Sequence, residues 1–205
     1  MKLKVCGMRD SDNIQALAAL KPDYMGLIFY EKSPRHAEQI ADAEMIRSLQ
    51  GPKKTGVFVN AEESYVRHLV ERFGLDALQL HAQESPEYCE RFAKQGLEII
   101  KVFSVGNGFD FERLLPYEGK VDYFLFDTKG KQPGGNGVLF NWDILKDYPS
   151  ETPFFLSGGI SLEDTGRLAE LQLPQLYAID INSQFEIEPG LKNIAQIEQL
   201  IENLN

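Results

Sequence analysis

A single-domain (β/α)8 barrel, the TIM-barrel form of the α/β class, is the fold that the sequence predicts over residues 1–205. Three observations lead to it. Eight short, β-rich apolar runs alternate with segments of helical period along the chain. Several runs, such as Tyr123-Phe124-Leu125-Phe126, are apolar without a break, as strands buried on both faces require. Glycines cluster in the last third, where barrels of this kind commonly bind phosphate. Eight units in 205 residues average about 26 residues each, near the minimum for a βαβ repeat. The competing architecture, an open doubly wound sheet, normally has fewer strands and often a Gly-rich turn straight after the first.

The expected strands are Lys2–Cys6, Tyr24–Phe29, Thr55–Val59, Ala77–Leu80, Glu98–Phe103, Tyr123–Phe126, Pro153–Leu156 and Leu176–Asp180. Helical periodicity fills the gaps between them. Tyr65, Val66, Leu69, Val70 and Phe73 share one face, and Asn60 with Glu63 has capping-box spacing ahead of them. Ser85-Pro86 reads as an N-cap followed by proline at the first helical position. Ser161 with Asp164 marks another acidic helix start. The second helix is expected near Ala41–Leu49, and Trp142 opens another as a packing residue. Leu191, Ile194, Ile197, Ile201 and Leu204 form the apolar stripe of a last, docking helix.

Charge narrows the partners. With 21 basic and 31 acidic residues the net charge is −10, which disfavours nucleic acid and anionic lipid. An anionic small molecule would need a local site of backbone N–H groups or a placed arginine. The N-terminal stretch MKLKVCGMRD lacks a secretory h-region, and no apolar run approaches the ~20 residues that span a bilayer. A cytoplasmic protein with two reduced thiols, Cys6 and Cys89, is the expectation. Composition leaves a monomer and a homodimer equally open.

In a barrel the chemistry sits at the C-terminal strand ends, so the residues there are the candidates. Strand one ends at Cys6-Gly7; the thiol suits a small core residue, or a base if dipoles or cations lower its pKa. Strand two leads to Arg35, which suits a solvated loop or a bidentate clamp on a carboxylate or phosphate. Strand four ends at His81, with no second His or carboxylate at metal-like spacing, so no metal is expected. Strand six ends at Asp127, whose apolar run would raise its pKa toward that of a general acid; the alternative is a turn cap. Gly134-Gly135-Asn136-Gly137 allows close ligand approach or a plain surface loop. Gly158 and Gly159 end strand seven, and Asp180, Asn182 and Ser183 end strand eight before an expected short helix. Together these two ends suit a phosphate.

These pieces, in this order, resemble phosphoribosylanthranilate isomerases along almost the whole chain. The matching stretches are Lys4-Val5-Cys6-Gly7-Met8, Gly26-Leu27-Ile28-Phe29 with Ser33-Pro34-Arg35, Gly56-Val57-Phe58-Val59-Asn60, and Leu78-Gln79-Leu80-His81. Phe126-Asp127, Gly134 to Gly137, Leu156-Ser157-Gly158-Gly159-Ile160 and Asp180-Ile181-Asn182-Ser183 complete the set. The chain departs from the family's usual pattern at Ala82, Asn136, Asn182, Gln184 and Phe185.

The resemblance implies a cofactor-free and metal-free Amadori rearrangement of N-(5-phosphoribosyl)anthranilate in tryptophan biosynthesis. It implies Asp127 as acid, Cys6 as base and Arg35 as holder of the anthranilate carboxylate. Gly158, Gly159, Asn182 and Ser183 would hold the phosphate, with His81, Gly135 and Asp180 also at the mouth. Another phosphate-binding barrel is the nearest rival. An indole-glycerol phosphate synthase would carry catalytic Lys and Glu at strand ends, and Lys101 on strand five is suggestive. A non-catalytic barrel that binds a phosphorylated metabolite would keep the glycines without needing Cys6 or Asp127.

Overall fold

The computed structural model describes residues 1–106, 108–128 and 141–204. Eight parallel strands pair in chain order, and β8 returns to β1 to close the barrel. They are β1 (Lys2–Cys6), β2 (Tyr24–Ile28), β3 (Lys53–Phe58), β4 (Ala77–Leu80), β5 (Glu98–Val105), β6 (Tyr123–Thr128), β7 (Phe154–Leu156) and β8 (Leu176–Ile181). All eight expected strands are present, with ends displaced by at most two residues.

Alternation along each strand sorts side chains between two cores. Tyr24, Ile100, Val102, Leu125, Phe155 and Ala178 fill the barrel interior. Leu3, Val5, Met25, Leu27, Phe58, Leu78, Leu80, Phe124 and Phe126 face the helix layer. The unbroken apolar run in β6 is thus shared between the two: Phe124 and Phe126 point out, while Leu125 points in.

The helices are α1 (Ser11–Ala19), α2 (Ala43–Ser48), α3 (Glu63–Phe73), α4 (Pro86–Ala93), α5 (Thr165–Glu170) and α6 (Ile194–Leu204). Local chemistry sets their starts. Asp10 and Asp42 accept from backbone N–H groups of the first turns of α1 and α2. Ser85 accepts from Tyr88 N ahead of Pro86, as its sequence position predicts. The N–H of Ser161 donates to Asp164 Oδ2 at 2.8 Å, closing the acidic start ahead of α5.

The capping box expected at Asn60 and Glu63 does not form. Asn60 adopts φ 48°, and its side-chain oxygen accepts from Gln83 N at 3.0 Å, so it ties two loops together instead. α3 starts after Glu62 without a side-chain cap.

After β5 and β6 the chain makes 3-10 helices, Phe111–Tyr117 and Trp142–Asp147, where full helices were expected. Pro116 inside the first lacks the N–H that an α-helix would need there. Trp142 is fully buried beneath the Arg167 guanidinium, 4.3 Å from its ring, in the packing role expected of it. In α6 the buried residues are Ile197 and Leu200. Leu191 instead belongs to a short antiparallel hairpin of β9 (Glu186–Glu188) and β10 (Leu191–Lys192) that precedes α6. No helix among the described residues is long and apolar enough to cross a membrane.

Candidate active site

Inward-facing positions at the C-terminal strand ends surround one cavity of about 470 Å³. Its lining includes Cys6 from β1, Arg35 from the β2–α2 loop, His81 after β4 and Asp127 from β6. Ser157, Gly158 and Gly159 after β7, and Asp180, Asn182 and Ser183 from the end of β8, complete it. Every candidate named for the isomerase reading within the described residues therefore reaches the same cavity. Gly135 lies outside the described residues.

Strand register explains the thiol's setting. Cys6 pairs with Gly26 on β2, where a Cβ would stand 2.8 Å from Cys6 Sγ, so the glycine makes room for the sulfur. Two residues earlier on the same face, Lys4 pairs with Asp180 on β8. Lys4 Nζ donates to Asp180 Oδ1 at 2.8 Å, with both side chains almost wholly out of solvent. Burial works to lower the pKa of Lys4, but attraction to Asp180 and Cys6 outweighs it and holds the ammonium above its ordinary value.

Burial pushes the Cys6 thiol up, against the pull of Lys4. Lowering of this thiol's pKa by cations, the condition set for a base at rest, is thus not met: burial exceeds the pull of Lys4. Burial likewise raises the Asp180 carboxyl despite Lys4.

Asp127 does not sit in the apolar pocket that its neighbours in sequence suggest. Phe124 and Phe126 face the other way, and the carboxylate meets polar groups. Its Oδ1 accepts from Thr128 N at 2.9 Å, and its Oδ2 lies 3.5 Å from His81 Nε2. On the far side of the imidazole, His81 Nδ1 lies 3.3 Å from Gln79 Nε2.

Gly158 has φ 92°, and a Cβ there would stand 2.3 Å from Thr128 Oγ1 and 2.9 Å from Asp127 Oδ1. Only glycine lets this loop pass beside the carboxylate. Among the described residues, no acceptor takes the N–H groups of Gly158 and Gly159. The short helix expected after β8 is a single 3-10 turn, Ser183–Phe185.

Arg35 lines the cavity with one edge of its guanidinium already engaged. Nε and Nη2 meet the Glu186 carboxylate at 2.6 to 3.0 Å. Lys192 Nζ donates to the same carboxylate at 2.6 Å. Sequence reasoning missed Glu186, Lys192 and the inward role of Lys4. Lys4 carries a signal, being two residues from Cys6 on one face of a strand. The other two do not, since Arg35 and Glu186 are 151 positions apart.

Lys101 points into the helix layer. Its ammonium bonds the carbonyls of Leu80 and Ala82 and the Glu84 carboxylate at 2.6 to 3.1 Å. It braces the loop that carries His81 and has no access to the cavity, so it offers nothing to a synthase reading. Cys89 is buried in α4 against the same layer. No group of three or more His, Cys, Asp or Glu side chains among the described residues could hold a metal ion.

A closed parallel barrel whose strand ends bring a thiol, a carboxylate and backbone N–H groups without an acceptor among the described residues to one cavity is an enzyme-type (β/α)8 barrel. Comparison with known proteins then fixes the family. The model of N-(5'-phosphoribosyl)anthranilate isomerases matches residues 3–203. The N-(5'-phosphoribosyl)anthranilate isomerase of Parabacteroides distasonis is 45% identical, over all of this chain and 93% of its own.

The crystal structure of the phosphoribosylanthranilate isomerase from Thermotoga maritima superposes with a TM-score of 0.83 at 30% identity, covering 100% of this chain and 98% of that one. Another solved isomerase, in complex with reduced 1-(o-carboxyphenylamino)-1-deoxyribulose 5-phosphate, gives 0.80 at 27% identity, with 100% and 98% covered. The chain belongs to the phosphoribosylanthranilate isomerase family.

Proposed function

We propose that this chain, acting as one catalytic domain, converts N-(5'-phosphoribosyl)anthranilate into 1-(2-carboxyphenylamino)-1-deoxyribulose 5-phosphate in tryptophan biosynthesis. The observation that carries the residue assignment is that Cys6 and Asp127 line one cavity together with Arg35 and the glycines after β7.

The reaction needs an acid and a base at adjacent carbons. Asp127 gives its proton to the furanose ring oxygen; the C1′–O bond breaks and C1′ becomes part of an iminium. The Cys6 thiolate then removes the C2′ proton, and the electron pair moves into the iminium to leave an enolamine. Transfer of the C2′ hydroxyl proton to C1′ completes the ketone. The active form carries its proton on Asp127 and its charge on Cys6. The Lys4 ammonium beneath the sulfur pulls toward that thiolate, while burial opposes it and leaves the resting thiol raised.

Arg35 holds the anthranilate carboxylate, and the Gly158, Gly159, Asn182 and Ser183 segments hold the phosphate, so that C1′ and C2′ lie between acid and base. The N–H of Thr128 holds one oxygen of the Asp127 carboxyl group, and His81 stands 3.5 Å from the other. The iminium is itself the electron sink, so this route uses no cofactor or metal. The setting is cytoplasmic, with the small-molecule substrate as partner, no nucleic acid or membrane, and a monomer or homodimer as the working unit.

The test is turnover of freshly made phosphoribosylanthranilate, followed by loss of its anthranilate-type fluorescence. Cys6→Ser and Asp127→Asn are expected to fold and to lose roughly 10²- to 10⁴-fold in rate. Near-wild-type turnover in either variant rejects that residue's role.

A further inference from the structure

The Arg35 side chain is the end of a buried charge relay that the reaction chemistry itself does not require. Glu186, at the start of β9, accepts Nε and Nη2 of Arg35 on one side and Nζ of Lys192 on the other. Lys192 also donates to Asn182 Oδ1 at 2.6 Å and Asn182 O at 3.3 Å. Its backbone is pinned by Asn13, whose side chain bonds Lys192 N at 2.8 Å and Lys192 O at 3.0 Å. The N–H of Gly190 donates to Glu186 at 3.1 Å. A Cβ on Gly7 would stand 2.7 Å from Asn182 Oδ1 and 2.8 Å from Arg35 Cδ, so the loop after β1 packs directly onto this group.

Two consequences follow from the geometry. One carboxylate lies between two cations, so the cluster carries a net charge of +1 inside a chain of net charge −10. The second guanidinium edge of Arg35 remains for a ligand, and among the described residues its Nη1 has no partner. That edge is planar and two-pronged, which is the shape a carboxylate fits.

We propose that Lys192 is the positioning residue of the carboxylate clamp. It offsets the charge of Glu186 so that Arg35 presents both a fixed edge and an uncompensated positive charge to the carboxylate of the substrate. This rests on the reading that Arg35 meets that carboxylate.

The charge on Lys192 is adjustable. Burial lowers its pKa to about 8, although the Glu186 carboxylate pulls it up. Cys6 on β1 also raises it, Arg35 lowers it, and Asn13 and Asn182 add no charge. As pH rises through about 8 the ammonium loses its proton, and the cluster falls from +1 to neutral. Carboxylate affinity therefore declines in that window, and binding a carboxylate ligand above it takes up a proton.

The experiment measures binding by calorimetry from pH 6.5 to 9.5 in the whole chain. Two probes are used: reduced 1-(o-carboxyphenylamino)-1-deoxyribulose 5-phosphate and its anilino counterpart lacking the carboxylate. In the wild type, the carboxylate probe is expected to weaken roughly tenfold across pH 8 while the anilino probe changes little. Lys192→Arg, which stays charged, should keep tight binding and lose the pH step. Lys192→Met should bind the carboxylate probe roughly tenfold more weakly at pH 7, with the anilino probe unaffected. Equal pH profiles for wild type and Lys192→Arg would overturn the proposal, and that comparison stands even if Lys192→Met does not fold. Equal affinity of the wild type for the two probes would instead remove Arg35 as the carboxylate clamp, and this inference with it.

Discussion

The buried pair beneath the site sets a sharp test of how charge is held inside the barrel. Lys4 is fully buried and Asp180 is 5% exposed, with 2.8 Å between their charged atoms. Replacing Lys4 with Met leaves Asp180, among the described residues, with only the Ser157 hydroxyl, at 3.4 Å. Keeping that carboxylate ionised costs about 3–5 kcal/mol. The alternative is to bind a proton. For a carboxyl of ordinary pKa 3.8 this costs about 4 kcal/mol at pH 7 but only about 1.6 kcal/mol at pH 5. Burial already raises this carboxyl, so protonation is the cheaper route on the acid side. The loss in Lys4→Met should therefore shrink as pH falls.

Asp180→Leu reverses the sign. It orphans an ammonium of ordinary pKa 10.5, whose deprotonation costs about 5 kcal/mol at pH 7 and about 2 kcal/mol at pH 9. Its loss should shrink as pH rises. The double variant Lys4→Met/Asp180→Leu removes both charges and should recover most of the stability. Urea unfolding at pH 5, 7 and 9, followed through the fluorescence of the single, buried Trp142, reads all three. Losses that are the same at every pH, or that slope the same way in both single variants, would refute the reasoning.

Arg35→Ala should raise KM for phosphoribosylanthranilate at least tenfold, as expected for a charged hydrogen-bonded clamp worth roughly 1.5–3 kcal/mol; an unchanged KM means the carboxylate is held elsewhere. Gly158→Ala meets Thr128 Oγ1 at 2.3 Å and Asp127 Oδ1 at 2.9 Å, so steady-state kinetics should show a loss in both kcat and phosphate-dependent binding. Wild-type kinetics there would show that the loop can shift without disturbing Asp127. Burial raises both thiols, Cys89 to about 11, so iodoacetamide at pH 8 should leave the native chain almost unlabelled and modify both cysteines in urea. Rapid native labelling of Cys6 would show a thiolate at rest.

The barrel was legible because its signals are local. The strands are short runs rich in apolar residues, and several helix starts carry their own cap, as at Ser85-Pro86 and Ser161 with Asp164. Where a local rule failed, a contact between loops decided: Asn60 serves Gln83 rather than Glu63. The candidate site was legible to the extent that strand ends are. Cys6, His81, Asp127 and Asp180 all end strands, and barrel closure brings those ends together. What the residues touch was not legible. The surroundings of Asp127 look apolar along the chain and are polar in space, because the pleat turns Phe124 and Phe126 away from it.

The same contrast governs the electrostatics of the mouth. A net charge of −10 argues against an anionic ligand only if the charge is spread evenly, and it is not. Lys4 and Asp180 cancel at the cavity wall, while Arg35, Glu186 and Lys192 leave one positive charge beside it. Exposed carboxylates are screened over a Debye length of about 8 Å in physiological salt; a buried cluster in contact with the ligand is screened far less. The short-range field therefore decides what binds. The acidic surface acts mainly on the rate of encounter, so added salt should speed association with a doubly anionic ligand while leaving the pH step at Lys192 in place. Stopped-flow association rates that fall with salt would show that the positive cluster, rather than the surface, dominates at long range.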